Sequence, residues 1–149
     1  MNIQIIKDDT GLREILRRAE TIALVGASPD PERDSNRIME YLLKAGYDVV
    51  PVNPKYEEVL GIRCYPTVEA IGRHIDIVDV FRRSEFLTDV SKDAVKSRAS
   101  VLWMQLGIFN EEAAKEAVDK GIKVVMNRCI MVEYRRLLPE GKSSSQQKR

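Results

Sequence analysis

The chain is poor in the residue types that most often carry catalysis or hold metals. Among 149 residues it has one histidine, two cysteines and one tryptophan. Cys64 and Cys129 lack C-x-x-C spacing and metal-type neighbours, so a zinc cluster with His74 is not expected. No apolar run approaches the roughly 18 residues that cross a bilayer. The first residues, Met1 to Asp8, lack the basic and apolar regions of a secretory leader. A cytoplasmic protein without a membrane segment is therefore expected. With a formal net charge of +1, no global positive field recruits nucleic acid, and any cationic site must be local.

What the chain does have is the make-up of a globular domain: 44% apolar and 32% charged residues at a length that buries a core unaided. One domain is expected over residues 1–138. The polar, low-complexity stretch 139–149 reads as a disordered tail. Hydrophobic periodicity alternates between strand and helix. A helix over about Asp9 to Arg18 precedes a strand at Ile22 to Val25, and a helix from about Ser35 to Lys44 stops at Gly46. The second strand, Asp48 to Asn53, contains Pro51, which is unusual for a central strand. A loop and short helix run through Tyr65 to Ile71, followed by a strand at Ile75 to Phe81. The next helix begins near Ser84 and turns Leu87, Val90, Ala94 and Val95 to the core; a fourth strand covers Ser100 to Leu106. Asn110 reads as an N-cap with Glu111 and Glu112 behind it, then come a fifth strand, Lys123 to Asn127, and a helix carrying Met131, Tyr134, Leu137 and Leu138. The pattern predicts an α/β, Rossmann-like three-layer domain: a five-stranded parallel sheet with right-handed crossovers and helices on both faces.

The most informative segment is Thr21-Ile-Ala-Leu-Val-Gly-Ala-Ser-Pro29, an apolar strand that ends in small residues and leads to a helix. Such a turn brings backbone N–H groups and a helix N-terminus close to a phosphate. In open parallel sheets the ligand lies outside the carboxyl ends of the strands. That edge collects Gly26, Ala27, Ser28, Arg33 and Arg37 after the first strand, and Asn53, Pro54 and Lys55 after the second. After the third come Phe81, Arg82, Arg83 and Ser84; after the fourth, Gln105, Leu106 and Gly107; after the fifth, Asn127, Arg128 and Cys129. Six of these are cations and no carboxylate closes a strand end, although Asp30, Glu32, Asp34 and Glu85 are near in sequence. One expectation is a cleft of single charge that focuses its field on an anionic ligand. The other is a set of solvated loop cations paired with those acids.

The turn Gly26-Ala27-Ser28-Pro29-Asp30-Pro31 lacks the later glycines of G-x-G-x-x-G, and Asn53-Pro54-Lys55 stands where an acid would grip an adenosine ribose. A cation there suits a ribose phosphate. That argues against NAD and for coenzyme A or NADP.

On these residues the sequence resembles the small stand-alone CoA-binding proteins, relatives of the CoA-binding domain of the succinyl-CoA synthetase alpha subunit. The matching segments are Ile22 to Ser28, Val52 to Lys55, Val78 to Arg83, Leu102 to Gly107 and Val125 to Cys129. The resemblance implies that Gly26 to Ser28 meet the phosphate and pantetheine region and that Lys55 binds a nucleotide phosphate. It implies further that Phe81 to Ser84 and Met104 to Gly107 line the rest of the groove. Asn127 departs from the acid expected in many relatives. The implied function is binding of CoA or acyl-CoA as a carrier, sensor or partner module, with a protein partner or homo-oligomer left open. An NADP-dependent oxidoreductase or another nucleotide-binding enzyme on the same fold is the alternative.

His74 precedes the third strand and so belongs to the opposite edge. Trp103 lies inside a strand and reads as core. Ser28 has no base in its motif, which favours hydrogen bonding over nucleophilic attack. Cys129 is either a small buried cysteine or a thiol set beside Arg128 where the CoA thiol could meet it.

Overall fold

The computed structural model describes residues 4–142. Helix α1 (Asp9–Arg18) leads to β1 (Thr21–Val25), α2 (Asp34–Lys44) and β2 (Asp48–Val52). A minimal antiparallel hairpin, β3 (Glu58–Val59) and β4 (Ile62–Arg63), follows. Then come β5 (Ile77–Val80), α3 (Leu87–Lys96), β6 (Val101–Met104), α4 (Glu111–Asp119), β7 (Lys123–Val125) and α5 (Ile130–Leu137). The hairpin replaces an expected loop. Leu60 and Gly61 both have positive φ (53° and 77°), which is what a two-residue hairpin turn of matching twist requires.

The five main strands form one parallel sheet in the order β2-β1-β5-β6-β7. The chain steps outward from β1 to β2 and then returns to β1's other side, so the order reverses between β1 and β5. Period two sorts the side chains. Ile22, Leu24, Ile77, Trp103 and Val125 pack with Leu16 of α1, Met39 of α2 and Tyr134 of α5. Ala23, Val25, Val78, Val80, Leu102 and Met104 pack with Leu87 and Ala94 of α3 and Ala113 and Ala117 of α4. The predicted three layers result.

Both sheet edges are covered, which removes the pairing hazard of a bare strand. Ile6 N–H donates to Val124 O and Val124 N–H to Gln4 O, both at 2.8 Å, adding a rudimentary strand beside β7. At the other edge Tyr65 N–H donates to Pro51 O (3.0 Å). Within a parallel strand a residue's N and O point to the same side, so the N–H that Pro51 lacks would have faced outward. An edge strand tolerates it.

Asp8 and Asn110 cap α1 and α4, accepting from Gly11 N–H (3.0 Å) and Ala113 N–H (2.9 Å). Arg136 of α5 grips both carboxylate oxygens of Asp9 (3.0 and 2.8 Å) and also Glu133, tying the last helix to the first. The packed chain also extends past residue 138. Lys142 is buried, its N–H donates to the Tyr134 hydroxyl (3.0 Å), and its ammonium sits 4.9 Å from the Tyr47 ring centroid. The rest of the expected tail lies outside the described residues.

Candidate functional site at the carboxyl edge of the sheet

The strands end earlier than their apolar runs suggest. Asn53, Phe81, Gln105, Leu106 and Asn127, expected as the last strand residues, all belong to the loops of the carboxyl edge. Asn127 leaves the strand region outright with φ 61°.

The turn after β1 is built by close approach. Gly26 has φ 91°, and a Cβ there would stand 3.3 Å from the carbonyl carbon and Cβ of Phe81. Its N–H and that of Ala27 both donate to Val52 O (2.9 and 3.4 Å). These two donors, expected at a phosphate, instead join β1 to β2. The loop beyond is closed from two sides: Asn53 Nδ2 donates to Ala27 O (2.8 Å) and Asn36 Nδ2 to Ser28 O (2.9 Å). Ser28 Oγ accepts from Asp30 N–H (3.1 Å). No side chain caps the N-terminus of α2, which begins after Arg33. An uncapped helix start beside this turn presents donors and a positive dipole end to an anion.

The six expected cations do not act alike. Arg37 donates to Glu32 O (2.9 Å) and Pro31 O (3.4 Å) and pairs with Asp34, so it braces its own loop. Arg128 is half-buried, donates to Lys7 O (3.3 Å) and pairs with the buried Glu133 (3.6 Å). Arg37 follows the second expectation, pairing with an acid near in sequence, whereas Arg128 meets Glu133, an acid that the sequence reading did not name. Arg33, Lys55, Arg82 and Arg83 make no ion pair among the described residues. Arg82 and Arg83 lie 4.3 and 5.7 Å from the Phe86 ring centroid. A cleft of about 390 Å³ opens between the ends of β1 and β2 and helix α3, lined by Gly26, Asn53, Pro54 and Arg82. Lys92 and Lys96 of α3 line it too, but so do Asp89 and Asp93; its walls carry both signs.

Three other residues of the expected site hydrogen-bond to neighbouring elements. Gln105 is buried, and its Oε1 accepts from Ile130 N–H (3.0 Å) at the start of α5. Asn127 Oδ1 accepts from Gly107 N–H (2.7 Å). Ser84 Oγ accepts from Phe109 N–H (3.2 Å), and its carbonyl from Asn110 Nδ2 (3.0 Å). Cys129 is half-buried at the N-cap of α5 and packs against the core. Trp103 is fully buried with its indole N–H on Arg128 O (2.8 Å), as a core residue.

His74 is at the amino edge, where its Nε2 faces Ser100 Oγ (3.2 Å) and Asp76 Oδ1 (3.3 Å). The same ring nitrogen meets both groups, so the three cannot relay a proton from serine to carboxylate. A second cleft, about 460 Å³, opens at that edge beside Asp76 and Ser100. The carboxyl edge remains the candidate because the strand order reverses there.

One residue escaped the reading of the sequence. Asp79 of β5 is fully buried between Leu24 and Trp103 in register, and neither carboxylate oxygen has a hydrogen-bond partner. Burial pushes its carboxyl well above the usual range. The signal was an acid in the middle of an apolar run.

The sequence pattern of the CoA binding domain family matches residues 20–135. The chain is 42% identical over 123 residues to the uncharacterized protein YneT of Bacillus subtilis (strain 168), covering 83% of this chain and 91% of that one. A hypothetical protein from Pyrococcus horikoshii OT3 of known structure superimposes with a TM-score of 0.87 at 50% identity, covering 93% of this chain and 96% of that one. The acetate–CoA ligase [ADP-forming] I of Archaeoglobus fulgidus is 27% identical over 121 residues; the match covers 74% of this chain and 18% of the ligase.

Proposed function

The chain belongs to the CoA binding domain family, and from that premise we propose that it binds coenzyme A or an acyl-CoA as a cytoplasmic carrier, sensor or partner module without chemistry of its own. The observation that carries the choice of ligand is the end of β2. An acid there would accept from a ribose diol. This chain has Asn53, whose Nδ2 is held by Ala27 O and whose Oδ1 accepts from Lys55 N–H (2.9 Å). The amide is spent on the loop, and the next side chain but one is an exposed ammonium. That pair suits a phosphate-bearing ribose better than a bare diol.

The donor set fits the group. Lys55, Arg82 and the uncapped start of α2 supply the positive ends that the phosphates of coenzyme A require. Bound coenzyme A would supply a thiol able to carry an acyl group. Two features support binding rather than catalysis: the sole histidine stands at the far edge, and Ser28 is engaged with Asp30 N–H.

Thermal shift with coenzyme A, NAD and NADP at equal concentration tests the reading. A ligand at a hundred times its dissociation constant stabilises by about 2.7 kcal/mol, so coenzyme A is expected to give the largest shift. Equal shifts, or a larger one with NADP, would overturn it in favour of a nicotinamide-dependent enzyme.

A further inference from the structure

Among the described residues five large apolar side chains are exposed, and two of them share one turn: Leu106 at 69% and Phe109 at 56%. This turn follows β6 at the carboxyl edge, and it is held, not slack. Gly107 N–H donates to Asn127 Oδ1, Ile108 N–H to Gln105 O (2.8 Å) and Phe109 N–H to Ser84 Oγ; Asn127 N–H returns to Ile108 O (3.1 Å). The N–H groups of Gly107 and Phe109 are thus fixed by neighbouring loops and that of Ile108 within the turn itself, so the two apolar groups are displayed at a defined place.

The sheet order says what reaches them. If the nucleotide end is held at Lys55, in the loop after β2, and the pyrophosphate at the turn after β1, the pantetheine arm runs away from β2, across β5. Neighbouring strands are about 4.8 Å apart, so the end of β6 lies roughly 10 Å from the end of β1 and that of β7 roughly 14 Å. The arm has the span of about four extended residues, or roughly 14 Å. On that path its thiol end would reach the Leu106–Phe109 turn.

We propose that Leu106 and Phe109 form an apolar lip that covers the acyl chain of an acyl-CoA, so that the ligand is a medium-chain acyl thioester rather than free coenzyme A. This inference rests on the proposed function and adds the substrate class. A fully buried methylene is worth about fourfold in affinity; a lip that covers one side gives about twofold.

Calorimetry with coenzyme A and its acetyl, butyryl and octanoyl thioesters tests it, on the wild type, Leu106→Ser, Phe109→Ser and Leu60→Asn. The readout is the ratio of octanoyl-CoA to free coenzyme A affinity within each protein, so a general change in coenzyme A binding cancels. The wild type is expected to favour octanoyl-CoA at least tenfold. Either serine variant should bring the ratio near one, while Leu60→Asn, at the β2 end of the edge, should keep it. Coenzyme A binding with no dependence on chain length overturns the lip alone; failure of all four ligands to bind overturns the proposed function as well. Loss of the ratio in Leu60→Asn but not in Phe109→Ser would reverse the ligand's direction and overturn the assignment. A dimer in the wild type that Phe109→Ser dissociates, with a flat ratio, would give the lip to a second copy of the chain.

Discussion

The side-chain oxygen of Gln105, the first residue after β6, accepts the backbone N–H of Ile130 at 3.0 Å and so caps α5 from a neighbouring loop. Cys129, the residue in the N-cap position, makes no side-chain cap bond of its own. Gln105→Ala leaves a buried helix N–H without a partner and is expected to cost about 1–2 kcal/mol of stability. Chemical denaturation checks this. A variant of unchanged stability but much weaker coenzyme A binding would return Gln105 to the ligand.

Gly26→Ala is expected to destabilise by about 1–3 kcal/mol. It strains a residue with φ 91° and sets a methyl 3.3 Å from Phe81 backbone, which cannot give without moving β5. Unfolding midpoints in urea measure it, and a midpoint equal to wild type would show that β1 and β5 can part at their carboxyl ends.

Lys55→Ala should leave the fold intact, because the side chain is exposed and its backbone N–H, which bonds Asn53, is retained. A charge-assisted bond to phosphate is worth about 1.5–3 kcal/mol, so coenzyme A affinity should fall roughly tenfold to a hundredfold. Dephospho-CoA should lose less if Lys55 serves the ribose phosphate. Calorimetry with unaltered affinity for both ligands would remove Lys55 from the site.

Asp79 makes stability depend on pH with a definite sign. Its carboxyl is raised in the folded chain, so the folded state holds that proton more tightly than the unfolded one. Its contribution is fully present below the unfolded carboxyl value of about 3.9 and is lost as pH rises towards the folded one. Asp79→Asn cannot ionise. The stability of wild type minus that of Asp79→Asn should therefore fall as pH rises above about 4. A difference that is flat with pH would mean that the carboxyl finds a partner in solution.

The order of the five main strands and their helices, and so which loops share the carboxyl edge, was legible in the chain by itself. Apolar residues at period two or 3.6, broken by Gly26, Gly46 and the Asn110 cap, are local signals that act within a few residues of chain. What each edge side chain does there was decided only by folding. Arg128 meets Glu133 and the Lys7 carbonyl, Gln105 meets Ile130, and Asn127 meets Gly107. Most of these partners are twenty or more residues away, and Glu133, though near in sequence, is brought round by α5. Asp79 became an orphan because β1 and β6 enclose it with Leu24 and Trp103. Hydrogen bonds and ion pairs act over about 3–4 Å, a distance that sequence spacing does not encode until the sheet sets which strands are neighbours.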